Sequence, residues 1–351
     1  MPKKVKLTAN ILFSGIGCQE RGIQNTGLFD LDVLSTSEIN KEAVIAYAAI
    51  HHGLTNEMVD TYKGYPSMDV MRAELTRINL GYIPEKKLKY DWYKEGKSQE
   101  QLTKKCWLAC KMNRNLGDIS LIDVLPEADL WTLSAPCTDI SIAGRLQGLD
   151  PDDETRSSLI WQNIRLLKVA KDTDTLPKYL FLENVKNLAG KRFRASFNQF
   201  NDLIADFGYN VYWQIINGKD CGIPQNRERV YAIYIRKDID TGRFTFPKPF
   251  DNGMRLKDVL EGKVAEKYYV NTEKAQELID KLMADNDFLS GDHKDTNRIK
   301  QLGNVMVTGK RENPNQGRVY DTNYIAPTIG KMEGGGRQPH IVKVGDGSER
   351  I

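Results

Sequence analysis

The sequence predicts an α/β protein: a doubly wound, mostly parallel sheet followed by a smaller, irregular domain. Three observations carry this expectation. Over the first two-thirds of the 351 residues, short apolar runs alternate with helical patterns, the rhythm of strands joined by crossover helices. Tyr179-Leu180-Phe181-Leu182 is short and fully apolar, as a strand covered on both faces must be. After about Thr241 the rhythm stops, and Pro247, Pro249 and many glycines take its place. The expected domains are therefore 1–245, with an insertion at about 60–115, and 246–351.

Each element follows from local chemistry. Ala9 to Phe13 reads as a first strand, broken by Ser14-Gly15-Ile16-Gly17. Leu31 to Glu38 reads as a second, before a helix capped at Asn40 and closed near Gly53. Between Asp60 and Asn115 the alternation lapses, which marks the insertion. Ala128 to Ser134 is strand-like and stops at Pro136, and Ser157 to Ala170 is amphipathic. Val211 to Ile216 and Val230 to Ile235 complete the sheet. Residues 313–339 are rich in Gly, Asn and Pro, and no internal repeat is evident.

Composition narrows the class. With 40% apolar residues the chain can fill one large or two modest cores. It has no apolar run near the roughly 20 residues that span a bilayer. The basic N-terminus lacks the apolar core of a secretory signal, so a soluble, cytoplasmic protein is expected. Five cysteines make no disulfide framework, and Cys106 and Cys110 have no second pair to complete a zinc set. A net charge of +3 permits nucleic-acid binding without requiring it. The Lys-rich stretch Lys86 to Arg114, with Trp92, Tyr93 and Trp107, reads equally as a solvated helical face or as a phosphate-contacting surface.

Several short motifs could carry chemistry. Glycines in Phe13-Ser14-Gly15-Ile16-Gly17 let a strand-to-helix turn approach a ligand closely, though the pattern is not the dinucleotide one. Glu38, ending the second strand, is placed to accept from a ribose diol. Cys137 lies just past a strand end, where open α/β sheets bind ligands, and a thiolate there can attack an electron-poor carbon. A small buried hydrophobe is the plainer role for a free cysteine. Glu183, ending the strand of Tyr179 to Leu182, can act as an acid if partly desolvated, or cap a helix. Gln225, Arg227 and Arg229 alternate along an extended segment and could share one face.

Together these motifs resemble the cytosine carbon-5 DNA methyltransferase family. That family is marked, in order, by Phe-x-Gly-x-Gly, Gly-Asp-Ile, Pro-Cys, Glu-Asn-Val and Gln-x-Arg-x-Arg. Here they stand as Phe13 to Gly17, Gly117-Asp118-Ile119, Pro136-Cys137, Glu183-Asn184-Val185 and Gln225 to Arg229. The resemblance covers roughly residues 9 to 235. It implies a Rossmann-like methyltransferase domain, a target-recognition domain, S-adenosylmethionine as cofactor and double-stranded DNA as partner. A role in restriction–modification is implied as well.

It also implies roles for individual residues. Phe13, Gly15, Ile16 and Gly17 would line the cofactor site, with Glu38 on the ribose, Ile39, Asp118 and Ile119 at the adenine, and Pro136 alongside. Cys137 would attack carbon 6 of a flipped cytosine while Glu183 serves ring nitrogen 3. Arg229 would hold the cytosine carbonyl oxygen and Arg227 would orient Glu183. Ser141 and Arg145 would lie in the loop over the DNA. Thr138 stands where the family most often has Gln.

The family's last Gly-Asn segment has only a superficial counterpart in Gly303-Asn304-Val305, which precedes recognition-like sequence. The expectation is an incomplete C-terminal region, with three explanations open: a shortened chain, a degenerate gene, or one half of a split enzyme whose absent segments come from a second polypeptide. Two other readings stand beside the main one: an RNA cytosine-5 methyltransferase, and a non-catalytic or split-subunit DNA-binding relative.

Overall fold

The computed structural model describes residues 3–136, 157–285, 288, 295–306, 314, 316–330 and 338–342. They form two compact units, one of residues 1–215 with 230–244, the other of 216–229 with 245–351. The sequence reading had kept 216–229, which carries Gln225 to Arg229, with the first domain.

A six-stranded sheet in the order β2-β1-β3-β4-β6-β5 organises the first unit. Its strands are β1 (Val5–Leu12), β2 (Phe29–Ser37), β3 (Leu130–Leu133), β4 (Tyr179–Val185), β5 (Tyr209–Asn217) and β6 (Glu228–Arg236). The pairs β1–β2, β1–β3 and β3–β4 are parallel. Helices cover both faces, and the alternation of side chains shows it. Trp131, Leu133, Leu180 and Leu182 point into one buried cluster with Leu166, Leu167, Phe197, Phe200 and Ile204. Those partners come from α6 (Trp161–Asp172) and α7 (Arg194–Asp206). Leu130, with Leu7, Ala9 and Ile11, points into a second cluster, against Phe181 and Ile23 of α1 (Cys18–Asn25).

From β1 the chain runs outward to β2, then returns past β1 to β3. This reversal is a topological switch point, where strand ends diverge and leave a crevice. The predicted caps close α2 (Lys41–His52): Asn40 accepts from the Ala43 amide at 2.8 Å, and Gly53 turns left-handed at φ 70°.

The insertion is a helical layer with its own core, beside β2. α3 (Asn56–Thr61), α4 (Met68–Arg77) and α5 (Lys97–Met112) bury Val59, Met71, Leu75, Cys106, Trp107 and Cys110 with Val44 and Ala48 of α2. The tryptophans of the Lys-rich stretch are therefore packing residues. Trp92 donates to the Leu80 carbonyl and Trp107 to Glu74, at 3.0 and 2.7 Å. Their neighbouring lysines contribute in part by lying over rings, as Lys111 does over Trp107. Among the described residues no helix is long and apolar enough to cross a membrane.

The second unit is smaller. α8 (Glu273–Met283) buries Ala275, Ile279 and Leu282 against Val305, Val319 and Val342. The strands β7 (Gln301–Asn304), β8 (Arg318–Tyr320) and β9 (His340–Ile341) form a three-stranded sheet beneath these contacts. Gly303-Asn304 lies within β7.

Burial pushes the Cys110 thiol up to about 12 and moves Cys106 the same way, whereas Cys18 is exposed. Thiols so raised favour the fold while they stay protonated. Their contribution is intact at neutral pH and is lost as pH climbs from the ordinary thiol range toward the folded value. Brief alkylation of the native chain, followed by peptide mass spectrometry, should label Cys18 and spare Cys106 and Cys110 until denaturant is added. Native labelling of Cys110 would contradict the helical core drawn here.

Candidate cofactor site at the switch point

A cavity of about 180 Å³ opens beyond the ends of β1, β2 and β3. Its wall is Phe13, Ser37, Glu38, Ile39, Gly117, Asp118, Ile119, Ser134, Pro136 and Leu159. Five stretches far apart in sequence, one of them reaching Pro136 just before Cys137, thus meet at one place.

The loop after β1 is shaped by backbone conformation. Phe13 and Gly15 adopt φ of 54° and 53°, and Gly17 φ of 83° as the cap of α1. A β-carbon on Gly17 would stand 2.2 Å from His51 Nε2, so no other residue fits there. Behind the loop, Glu20 accepts from the Tyr47 hydroxyl and pairs with His51 Nδ1 at 3.3 Å, while His51 Nε2 lies 3.2 Å from the Ile16 carbonyl. Phe13 stands in the cavity wall, and Gly15 and Gly17 set the curve that puts it there.

Glu38 ties the loop to β2. Its carboxylate accepts from the amides of Gly15 at 3.0 Å, Ile39 at 2.9 Å and Asn40 at 2.7 Å. Burial pushes its pKa up, and the three amide bonds pull it back. Asp118 caps a short turn by accepting from Ser120, and its second oxygen accepts from Asn79 at 3.0 Å. Gly117 before it has φ 78°, and a β-carbon there would meet the Ile78 carbonyl at 2.2 Å.

The residue that holds these pieces together is Asn115, which the sequence reading passed over. Buried between the end of β2 and the turn, it accepts from the Glu38 amide at 3.0 Å and donates to the Glu38 carbonyl at 2.9 Å. Its oxygen also takes the Gly117 amide at 3.3 Å. Ser37 adds a bond to the Gly117 carbonyl at 2.7 Å. No periodicity announces such a clamp; the only hint was its place two residues before Gly117-Asp118.

On the other side, Glu183 lies within β4, which runs on to Val185 instead of stopping at Leu182. Its amide donates to Ser134 Oγ at 2.9 Å, and Asn184 Nδ2 donates to the Ala135 carbonyl at 3.1 Å. These bonds staple β4 to the segment leading into Pro136-Cys137.

The Gln225 to Arg229 segment is held within the second unit. Asn226 donates to the Ala326 carbonyl and the Arg227 amide to Asn217 Oδ1, at 2.8 and 2.9 Å. Arg229 enters β6 and donates to the Glu228 carbonyl at 2.7 Å. Cys137, Ser141 and Arg145 lie outside the described residues.

Chemically, the wall combines apolar side chains with two carboxylates, Glu38 and Asp118. Apolar faces suit a flat ring, and carboxylates accept from amino and diol groups while repelling a phosphate. The cavity therefore fits a phosphate-free nucleoside.

The family profile described as C-5 cytosine-specific DNA methylase matches residues 95–346. The chain belongs to that family. It is 39% identical over 262 residues to the type II methyltransferase M2.ScrFI of Lactococcus lactis subsp. cremoris, covering 74% of this chain and 68% of that one. Against the orphan methyltransferase M.SPRI of Bacillus phage SPR it is 29% identical over 363 residues, covering 94% and 65%. Against the orphan methyltransferase M.SssI of Spiroplasma monobiae the values are 27% over 351 residues, 99% and 84%. This methylase-family chain thus spans about two-thirds of the length of the first two relatives.

Asn115→Ala would leave the Glu38 and Gly117 amides without their acceptor. Losing these buried bonds should lower stability by about 2–4 kcal/mol, measured by denaturant unfolding. A loss under about 0.5 kcal/mol, the range of a surface substitution, would show that the clamp is dispensable.

Proposed function

We propose that this chain transfers a methyl group from S-adenosylmethionine to carbon 5 of a cytosine flipped out of duplex DNA. The observation that carries the reading is the convergence of Phe13, Glu38, Ile39, Asp118, Ile119 and Pro136 on one cavity. The cofactor is a phosphate-free nucleoside with positively charged sulfur and nitrogen, which suits a wall with two carboxylates.

Glu38 accepts from the ribose hydroxyls and Asp118 from the adenine amino group, with Ile39 and Ile119 against the ring. Bound there, the cofactor supplies an electrophilic methyl group. Pro136 carries the chain from this wall directly to Cys137, whose thiolate adds to carbon 6 of the cytosine. Glu183 delivers a proton to ring nitrogen 3, so the electron pair released by the attack settles in an enamine. Carbon 5 of that enamine would be the nucleophile for the methyl group, whose bond to sulfur would break and leave S-adenosylhomocysteine. The carbon-5 proton would then pass to a base and the nitrogen-3 proton back to Glu183, and Cys137 would depart as thiolate with the electron pair of its bond to carbon 6.

From the family resemblance, Arg229 is assigned to the cytosine carbonyl oxygen and Arg227 to orienting the Glu183 carboxyl. Stacked cytosine is inaccessible to any of these groups, so the base must leave the helix first. Ser141 and Arg145 are assigned to the DNA backbone.

Two kinds of variant separate binding from chemistry. Glu38→Ala or Asp118→Ala should weaken S-adenosylmethionine binding by roughly 1.5–3 kcal/mol each, read by calorimetry. Cys137→Ser should bind the cofactor normally and transfer no methyl group to duplex DNA. Near-normal turnover by Cys137→Ser, or unchanged affinity in both carboxylate variants, would remove this reading.

A further inference from the structure

One wall residue, Ser134, has no part in the roles assigned so far. It directly follows β3, where the Ala135 amide donates back to the Leu133 carbonyl at 2.9 Å in a tight turn. Asn163 Nδ2 holds the same carbonyl from α6 at 3.2 Å, so the turn is fixed from two sides. The turn leaves the Ser134 side chain at the cavity.

A serine hydroxyl has two acceptor positions and one proton. Both acceptor positions of Ser134 are used. The Glu183 amide donates to Oγ at 2.9 Å, and Gln19 Nε2 donates to the same oxygen. The proton remains, and among the described residues no acceptor takes it. Gln19 itself is pinned in the first turn of α1, its Oε1 buried without a partner.

The elements that supply the wall indicate what the proton meets. Glu38, Ile39, Asp118 and Ile119 follow β2 and the turn at Gly117, and they are the residues assigned to the nucleoside. Ser134 and Pro136 follow β3 and lead to Cys137, the assigned nucleophile. A ligand whose adenosine is held by the first group has its sulfur and amino-acid arm left for the second.

We propose that Ser134 donates its hydroxyl proton to the amino-acid arm of the bound cofactor, with Gln19 as the positioning residue that fixes the hydroxyl. This rests on the reading of the cavity as the S-adenosylmethionine site. The same oxygen carries the Glu183 main chain, so one atom sets the donor side and the acid side of the cleft. Ser134 thereby selects ligands that carry the arm over those that end at the sulfur.

The test is calorimetric titration of the wild-type chain, Ser134→Ala and Ser134→Thr. Two ligands are compared: S-adenosylhomocysteine, and methylthioadenosine, which shares the nucleoside and sulfur but lacks the amino-acid arm. The readout is the ratio of the two affinities within each protein, which a loss of folded material does not move. Ser134→Ala should lower the preference for S-adenosylhomocysteine by about tenfold, the worth of one hydrogen bond to a charged group. Ser134→Thr keeps the hydroxyl and should hold the wild-type ratio. An unchanged ratio in Ser134→Ala overturns the assignment, and it is the result expected if the Gln19 amide were reversed and took the proton on Oε1. Equal losses for both ligands, or a Thr variant that falls as far as Ala, overturn it too. A wild-type chain that binds neither ligand would instead remove the cofactor reading beneath it.

Discussion

The site depends on one closure: the end of β2 must be held against the turn that carries Gly117-Asp118. β2 is the outer strand of the sheet, so its last residues lack a strand neighbour on one side. Residues 114–117 take that place. Thr36 donates to the Arg114 carbonyl at 3.1 Å, and Leu116 donates back to the Thr36 carbonyl at 2.8 Å. Asn115 then replaces two backbone pairings with its side-chain amide, so Glu38 and Asp118 face one space. Water competes for every one of these groups, and burial of Asn115 makes the protein bonds the only ones available.

The insertion explains why that closure is affordable. Residue 115 sits at the C-terminal end of α5, and α5 is rigid because its buried face is wide. Thr103, Cys106, Trp107 and Cys110 pack toward α2 and α4. A helix anchored over about two turns can present its exit residues to β2 without losing much entropy in doing so. The insertion thus works as a buttress for the Glu38 and Asp118 part of the cavity wall, whatever else its lysines contact.

What was legible in the sequence was whatever depends on near neighbours. The apolar run Tyr179 to Leu182 announced β4 because a doubly covered strand has no polar face, and Asn40 and Gly53 announced α2 because caps are local. The motif residues were legible through a family pattern, and six of them meet at the cavity. Asn115 was not, because an asparagine's role here is set by groups 77 residues away in the chain. Trp92 and Trp107 were read as candidate surface groups because the lysines between them dominate the composition. The spacing 103, 106, 107, 110 was present and spoke for a buried stripe. Assignment of 216–229 to the second unit was equally hidden, since the contacts of Asn226 lie with Ala326, a hundred residues on.

In the proposed reading Cys137, the residue after Pro136 of the cavity wall, is the nucleophile. Duplex DNA carrying 5-fluorocytosine tests this most directly, because fluorine at carbon 5 cannot leave as a proton does. Incubated with S-adenosylmethionine, the chain should form a covalent adduct that survives denaturation, and peptide mass spectrometry should place it on Cys137. An adduct on Cys18, Cys106, Cys110 or Cys221, or none at all from a chain that methylates unmodified DNA, would contradict the account.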